Sequence, residues 1–214
     1  MKLLTFLLLS ISALAQNDST TLHFQYTSSS ELAISNELNG IQYISIVSRD
    51  TLMHDKQFLL SMKEYKNGKQ ITEDHFGLNG KVQNIPIING TDTSYYTFNP
   101  SDKVKFPTTD SIFAIQVAGR LEEKDFLLKV NYPGIRFTRT LKGNSAYSLR
   151  EVQCSADHDL KIPINSTVPV LAYTLPFETG QGGNFYCILG SEEVEKWYTK
   201  FKVKHYYVFF IEVR

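Results

Sequence analysis

Phe201 to Arg214 reads FKVKHYYVFFIEVR, and its pattern decides the fold class. Val203, His205, Tyr207, Phe209, Ile211 and Val213 fall on one face at the two-residue period of a strand. The other face carries Lys202, Lys204, Tyr206, Val208, Phe210, Glu212 and Arg214, apolar in the middle and charged at both ends. Such a strand must be covered fully on one side and partly on the other. At a sheet edge, Tyr207 to Ile211 would template aggregation, so the stretch is expected in the middle of a sheet.

Working back from it, Val194, Trp197, Tyr198 and Phe201 recur at i, i+3, i+4 and i+7. That spacing predicts one short helix running straight into the final strand. Ser191 is its expected cap, Glu192 and Glu193 suit its positive end, and Lys196 and Lys200 suit the other. The helix stripe is the expected cover for Tyr206, Val208 and Phe210.

Elsewhere the chain reads as strands and turns. Leu22, Phe24 and Tyr26 alternate with polar residues. Further strand readings cover 41–47, 57–65, 95–98, 111–117, 126–132, 135–141, 147–154, 168–174 and 185–189. Residues 31–38 fit a short helix or a strand equally well. Asn39-Gly40, Asn67-Gly68, Asn79-Gly80 and Asn89-Gly90 favour the tight turns of antiparallel hairpins. A two-residue turn at Asn67-Gly68 sets Lys66 opposite Lys69, Tyr65 opposite Gln70, Lys63 opposite Thr72 and Leu59 opposite Phe76. That is a hairpin rooted in a core with its tip in water. The expected fold is mostly β, as antiparallel β-sandwiches with one short C-terminal α-helix.

Met1 to Ala15 has the pattern of a secretory signal peptide: Lys2, the apolar run Leu3 to Ile11, then Ala13-Leu14-Ala15. The apolar run is too short to span a bilayer, and no later stretch approaches that length. Pro and turn residues in Asn99 to Asp110 suggest a linker. The expected division is a β-domain over 16–105 and another over 106–214, with one larger sandwich over 16–214 as the alternative.

The chain carries 22 basic and 22 acidic residues, a balance that argues against nucleic acid or anionic membrane as the main partner. Cys154 and Cys187 are the only cysteines, and an even count in an exported chain reads as a disulfide. No zinc spacing, phosphate loop or GxSxG elbow occurs, so no metal, cofactor or catalytic residue is assigned. Asp157-His158-Asp159 is the densest polar cluster and reads as a solvated turn. His205 reads as a hydrogen-bonded histidine at the wet end of the last strand. Glu64, Glu73 and Glu151 are strand-borne carboxylates. Two such groups could serve a glycosidase, although surface carboxylates on strands are common.

Among the 12 tyrosines, Tyr65, Tyr95 and Tyr96 are the candidates for display on a binding face, although at each a buried ring with its hydroxyl at the rim is the commoner arrangement. The leader MKLLTFLLLSISALAQ resembles those of proteins secreted by gut Bacteroides-type bacteria. Asp18-Ser19-Thr20, Asp50-Thr51-Leu52 and Asp110-Ser111-Ile112 are similar to that group's O-glycosylation triplets. The resemblance implies a secreted β-protein of that kind and assigns no functional residue. The expected function is an exported, non-enzymatic binding or assembly module for a glycan or an envelope protein. The alternative is an exported carbohydrate-active hydrolase. Periplasmic, cell-surface and secreted placements all remain open.

Overall fold

The computed structural model describes residues 19–27, 29–54, 56–76, 83–98, 112–132, 135–153, 158–179, 183–185 and 189–214. The molecule is mostly β, built from antiparallel sheets that pack as a sandwich, with two short α-helices. The final strand, β15 (His205–Val213), is the third of five in its sheet. It is flanked by β12 (Thr167–Thr174) and β3 (Phe58–Lys66). β10 (Ser148–Glu151) and β4 (Lys69–Phe76) form the two edges of that sheet.

The facing sheet has six strands. Its order is β11 (Asp159–Pro163), β1 (Ser19–Gln25), β2 (Ile41–Ser48), β7 (Phe113–Glu122), β8 (Asp125–Tyr132) and β9 (Ile135–Lys142). Two separate ribbons complete the strands: β5 (Gln83–Asn89) with β6 (Asp92–Phe98), and β13 (Phe177–Thr179) with β14 (Gly183–Phe185). The expected linker at 99–110 lies outside the described residues. A division there does not separate the sheets, because β1 pairs with β11, β2 with β7 and β15 with β3. Strands from both halves of the chain contribute to each sheet.

β15 has the two faces its alternation predicts. Tyr207, Phe209, Ile211 and Val213 enter the core between the sheets, with Phe58, Phe76, Phe126 and Tyr132. Across that core Phe126 stacks on Tyr173 with ring centres 3.9 Å apart, and Phe58 meets Tyr132 edge-on. Tyr206, Val208 and Phe210 lie in a second cluster with Val194, Trp197 and Phe201. The helical stripe therefore covers the strand's short apolar second face. A 3-10 turn at Val194–Lys196 leads into the helix (Trp197–Phe201), called α2, which ends at Lys202 in the left-handed region. Glu193, not Ser191, holds the cap position, and no side chain caps it. Trp197 Nε1 donates to the carbonyls of Leu189 and Glu192, and the Tyr206 hydroxyl donates to Val194 O at 2.7 Å.

The Asn67-Gly68 hairpin departs from the expected register. Lys66 faces Lys69 and Tyr65 faces Gln70, but Glu64 then faces Thr72. Ile71 is the extra residue of a β-bulge, and Phe76 lands opposite Leu60 instead of Leu59. Phe76 and Leu60 are both fully buried between the sheets, so the bulge turns Phe76 into the core. The tip does not stand free in water. A Cβ on Gly68 would come within 2.7 Å of Glu195 O, which places the turn against the segment leading into α2.

Candidate functional site

The chain between β1 and β2 makes a short helix, α1 (Ser30–Leu38). Ser29 accepts from Leu32 N at its start, and Asn39 closes its end. Gly40, at φ +62, then turns the backbone directly into β2. This places α1 beside the first residues of β2 and the edge strand β10. Between them lies a cleft of about 540 Å³, within the size range of small-molecule sites. α1 lines it with Ala33, Asn36 and Glu37, β2 with Ile41, Gln42 and Tyr43, and β10 with Ser148, Leu149 and Arg150. Tyr26 and Thr27 close the remaining side.

α1 buries no residue. Ala33, Asn36 and Glu37 share the side toward the cleft, whereas Leu32 and Ile34 lie on its two flanks and Leu38 points away. All three of these apolar residues are exposed, Leu38 to 82 %. The helix has no single apolar stripe, since Leu32 and Ile34 project to nearly opposite sides, and none of its apolar residues is buried. Gln42 ties the floor together: its Nε2 donates to Tyr147 O at 3.4 Å, and its Oε1 accepts from Leu149 N at 2.5 Å. One side chain thereby joins a strand of the six-stranded sheet to the edge of the five-stranded one.

Behind Tyr26 is a buried carboxylate. Glu151 is only 2 % exposed. Its Oε1 accepts from the Tyr26 hydroxyl at 3.1 Å and lies 2.5 Å from His158 Nδ1. Its Oε2 is buried and has no hydrogen-bond partner among the described residues. The Tyr26 and His158 rings meet edge-on at 5.5 Å. Burial, and then the Glu151 carboxylate, push the Tyr26 hydroxyl far above the ordinary phenol range, so it stays a neutral donor. His158 itself sits at φ +54, and its carbonyl accepts from Phe24 N, which extends the β1–β11 ladder by one residue. His23 and Asp159 face each other across that ladder, 2.5 Å apart. The turn expected at Asp157-His158-Asp159 thus carries two side-chain pairs; Asp157 lies outside the described residues.

Tyr65, Tyr95 and Tyr96 are not brought together. Tyr65 is 1 % exposed, stacked on Tyr206 at 5.1 Å, with its hydroxyl on Glu195. It is a core residue of the second cluster and offers no surface. Tyr95 and Tyr96 are exposed on opposite faces of the β5–β6 ribbon. The three strand-borne carboxylates also occupy separate places. Glu64 accepts from Tyr207 and lies 2.8 Å from His205 Nε2, while Glu73 sits near Lys63 and His75 on the other face of the same hairpin. Glu151 is on the far edge of that sheet. His205 also contacts the Tyr147 hydroxyl and is half-buried, as its position near the strand end suggests.

Cys154 and Cys187 lie outside the described residues. Among the described residues no group of three or more His, Cys, Asp or Glu side chains is placed to hold a metal ion. None of their helices is long and apolar enough to cross a membrane. The cleft has no local signature: residues 26, 36–43 and 148–150 are brought together by the pairing of β1 with β2, the Gln42 bridge and the Tyr26–Glu151 hydrogen bond. Glu151, behind Tyr26, was legible only as one of three strand-borne carboxylates. Comparison with known protein families, characterised proteins and solved structures finds no match for the chain.

Proposed function

We propose that the protein is an exported, non-enzymatic module that binds a glycan in the cleft beneath α1. The observation that carries this reading is a helix that buries none of its residues and lines a cleft. A nine-residue helix is too short to be stable by itself in water. It adds no apolar side chain to the core, yet it directs Asn36 and Glu37 to the cleft. Its placement makes sense for what its polar side meets.

The lining suits a neutral saccharide. Tyr26 and Tyr43 offer rings for the C–H faces of a sugar, and Tyr26 is pinned by Glu151. Asn36, Glu37, Arg150, Thr27 and Ser148 supply donors and acceptors in the mixture that sugar hydroxyls require. One carboxylate and one guanidinium on the same cleft favour a neutral ligand over a sulfated or phosphorylated one. The separate positions of Glu64, Glu73 and Glu151 lend no support to a two-carboxylate hydrolase. The export half of the reading rests on the leader Met1 to Ala15.

The test is calorimetric titration of the mature protein with neutral oligosaccharides from several polysaccharide classes. Binding to at least one class is expected, weakened tenfold or more by Tyr26→Ala and by Glu37→Ala. No binding across the panel, or binding that both variants leave unchanged, would overturn the proposal.

A further inference from the structure

The β5–β6 ribbon is a second surface, remote in chemistry from the cleft. It carries Ile85, Ile87, Ile88, Tyr95 and Tyr96, all exposed, with Ile88 at 70 % and Tyr95 at 69 %. Apolar side chains stand on both of its faces, and among the described residues its strands pair only with each other. A lone two-stranded ribbon is marginal in water and gains from further strands.

The two outer edges of this ribbon are not equivalent. The strands join through Gly90 and Thr91, with Asn89 facing Asp92. A two-residue turn is closed by a hydrogen-bonded pair, and such pairs then alternate along the ladder. Ile87 with Ser94 and Ile85 with Tyr96 are therefore bonded pairs, whereas Pro86 with Tyr95 turns its backbone outward. Pro86 has no N–H to offer there, so the β5 edge is blocked at its centre. The β6 edge presents Thr93, Tyr95 and Thr97 with full backbone groups, no proline and no lysine.

We infer that β6 pairs antiparallel with β6 of a second copy of this chain, joining two ribbons into one four-stranded sheet about a two-fold axis at Tyr95. The register follows from the outward-facing residues: Tyr95 opposite Tyr95 of the second copy, and Thr93 opposite its Thr97. The charge pattern selects a like partner. Asp92 is the only charged residue in the ribbon, and in this register it meets position 98, which is uncharged. No like charges are opposed, and no charge in the ribbon calls for a partner of opposite sign. Threonine pairs flank a tyrosine pair, and Pro86 and Ile88 extend the same face on either side.

Sedimentation velocity over a concentration series tests this. The wild type is expected to show a monomer–dimer equilibrium. Tyr95→Pro removes one outward N–H without touching the ribbon's own hydrogen bonds, and is expected to raise the dimer dissociation constant at least tenfold. A second variant guards against loss of the ribbon itself. Bonded antiparallel positions lie about 5.5 Å apart at Cα, within disulfide reach. Tyr95→Cys should therefore cross-link into a covalent dimer under mild oxidation, and Ser94→Cys, which faces residue 96 of the second copy, should not. A wild type that stays monomeric throughout, a Tyr95→Pro variant that dimerises as before, or equal cross-linking at 94 and 95 would each overturn the inference. Glycan binding in the cleft does not depend on the outcome.

Discussion

The asparagine–glycine pairs show how one dipeptide serves different geometries. At Asn67-Gly68 both residues have positive φ, the requirement of a type I′ hairpin turn. At Asn89-Gly90 only the glycine does, and the turn's central pair is Gly90-Thr91. At Asn39-Gly40 the pair ends a helix. The chain turns at each of these three pairs, with the type of turn set by neighbours; Asn79-Gly80 lies outside the described residues. This gives a paired expectation. Gly40→Ala faces open space and meets only the left-handed backbone cost of about 1 kcal/mol. Gly68→Ala adds a clash at 2.7 Å from Glu195 O and is expected to cost about 3 kcal/mol in total. Chemical denaturation of both variants measures the difference; equal losses would mean that the turn does not press on the segment before α2. Tyr65 depended on its neighbours in the same way: a displayed ring and a buried one both fitted the sequence, and the position of α2 decides for the buried one.

At the level of elements, periodicity identified β15 and α2 together because each carries the other's complement. Trp197, the only tryptophan, is fully buried over Tyr206 at 5.2 Å. Trp197→Ala is expected to cost about 3–5 kcal/mol and to expose Tyr206, Val208 and Phe210. A rise in binding of a hydrophobic dye, with the inter-sheet core retained in near-ultraviolet circular dichroism, would register it. A variant that unfolds completely would show that the two clusters are not separable. Two elements resisted sequence reading. In SELAISNEL the apolar residues mix periods, and the caps at Ser29 and Asn39 decide for a helix. The bulge at Ile71 follows from a demand outside the hairpin, the burial of Phe76 against Phe137 and Phe209.

For the whole molecule, class and centre were legible, and the pairing order was not. Alternation says which residues face inward but not which strand lies beside which. The apparent boundary at 99–110 suggested two domains, yet β3 and β15 from opposite sides of that boundary lie side by side. Tyrosine burial gives the assembled sandwich a pH signature. Burial raises the phenol pKa of Tyr26, Tyr65, Tyr132, Tyr206 and Tyr207, and pushes Tyr173 up to about 12. The fold thus favours the neutral phenol. Stability from these groups is complete below the unfolded value of about 10 and falls as pH rises above it. Phenolate absorbance from these six should appear together with loss of the Trp197 emission signal; phenolate formation at these six positions in a still-folded protein would refute their burial.

The central claim, that the cleft beneath α1 receives a neutral saccharide, is tested most directly by amide chemical-shift mapping. The measurement uses the oligosaccharide that binds best in calorimetry. Shifts are expected at Asn36, Glu37, Gln42, Tyr43 and Arg150, with the amides of the β5–β6 ribbon unmoved. Shifts confined to the ribbon or scattered over the sandwich, with the cleft silent, would contradict it.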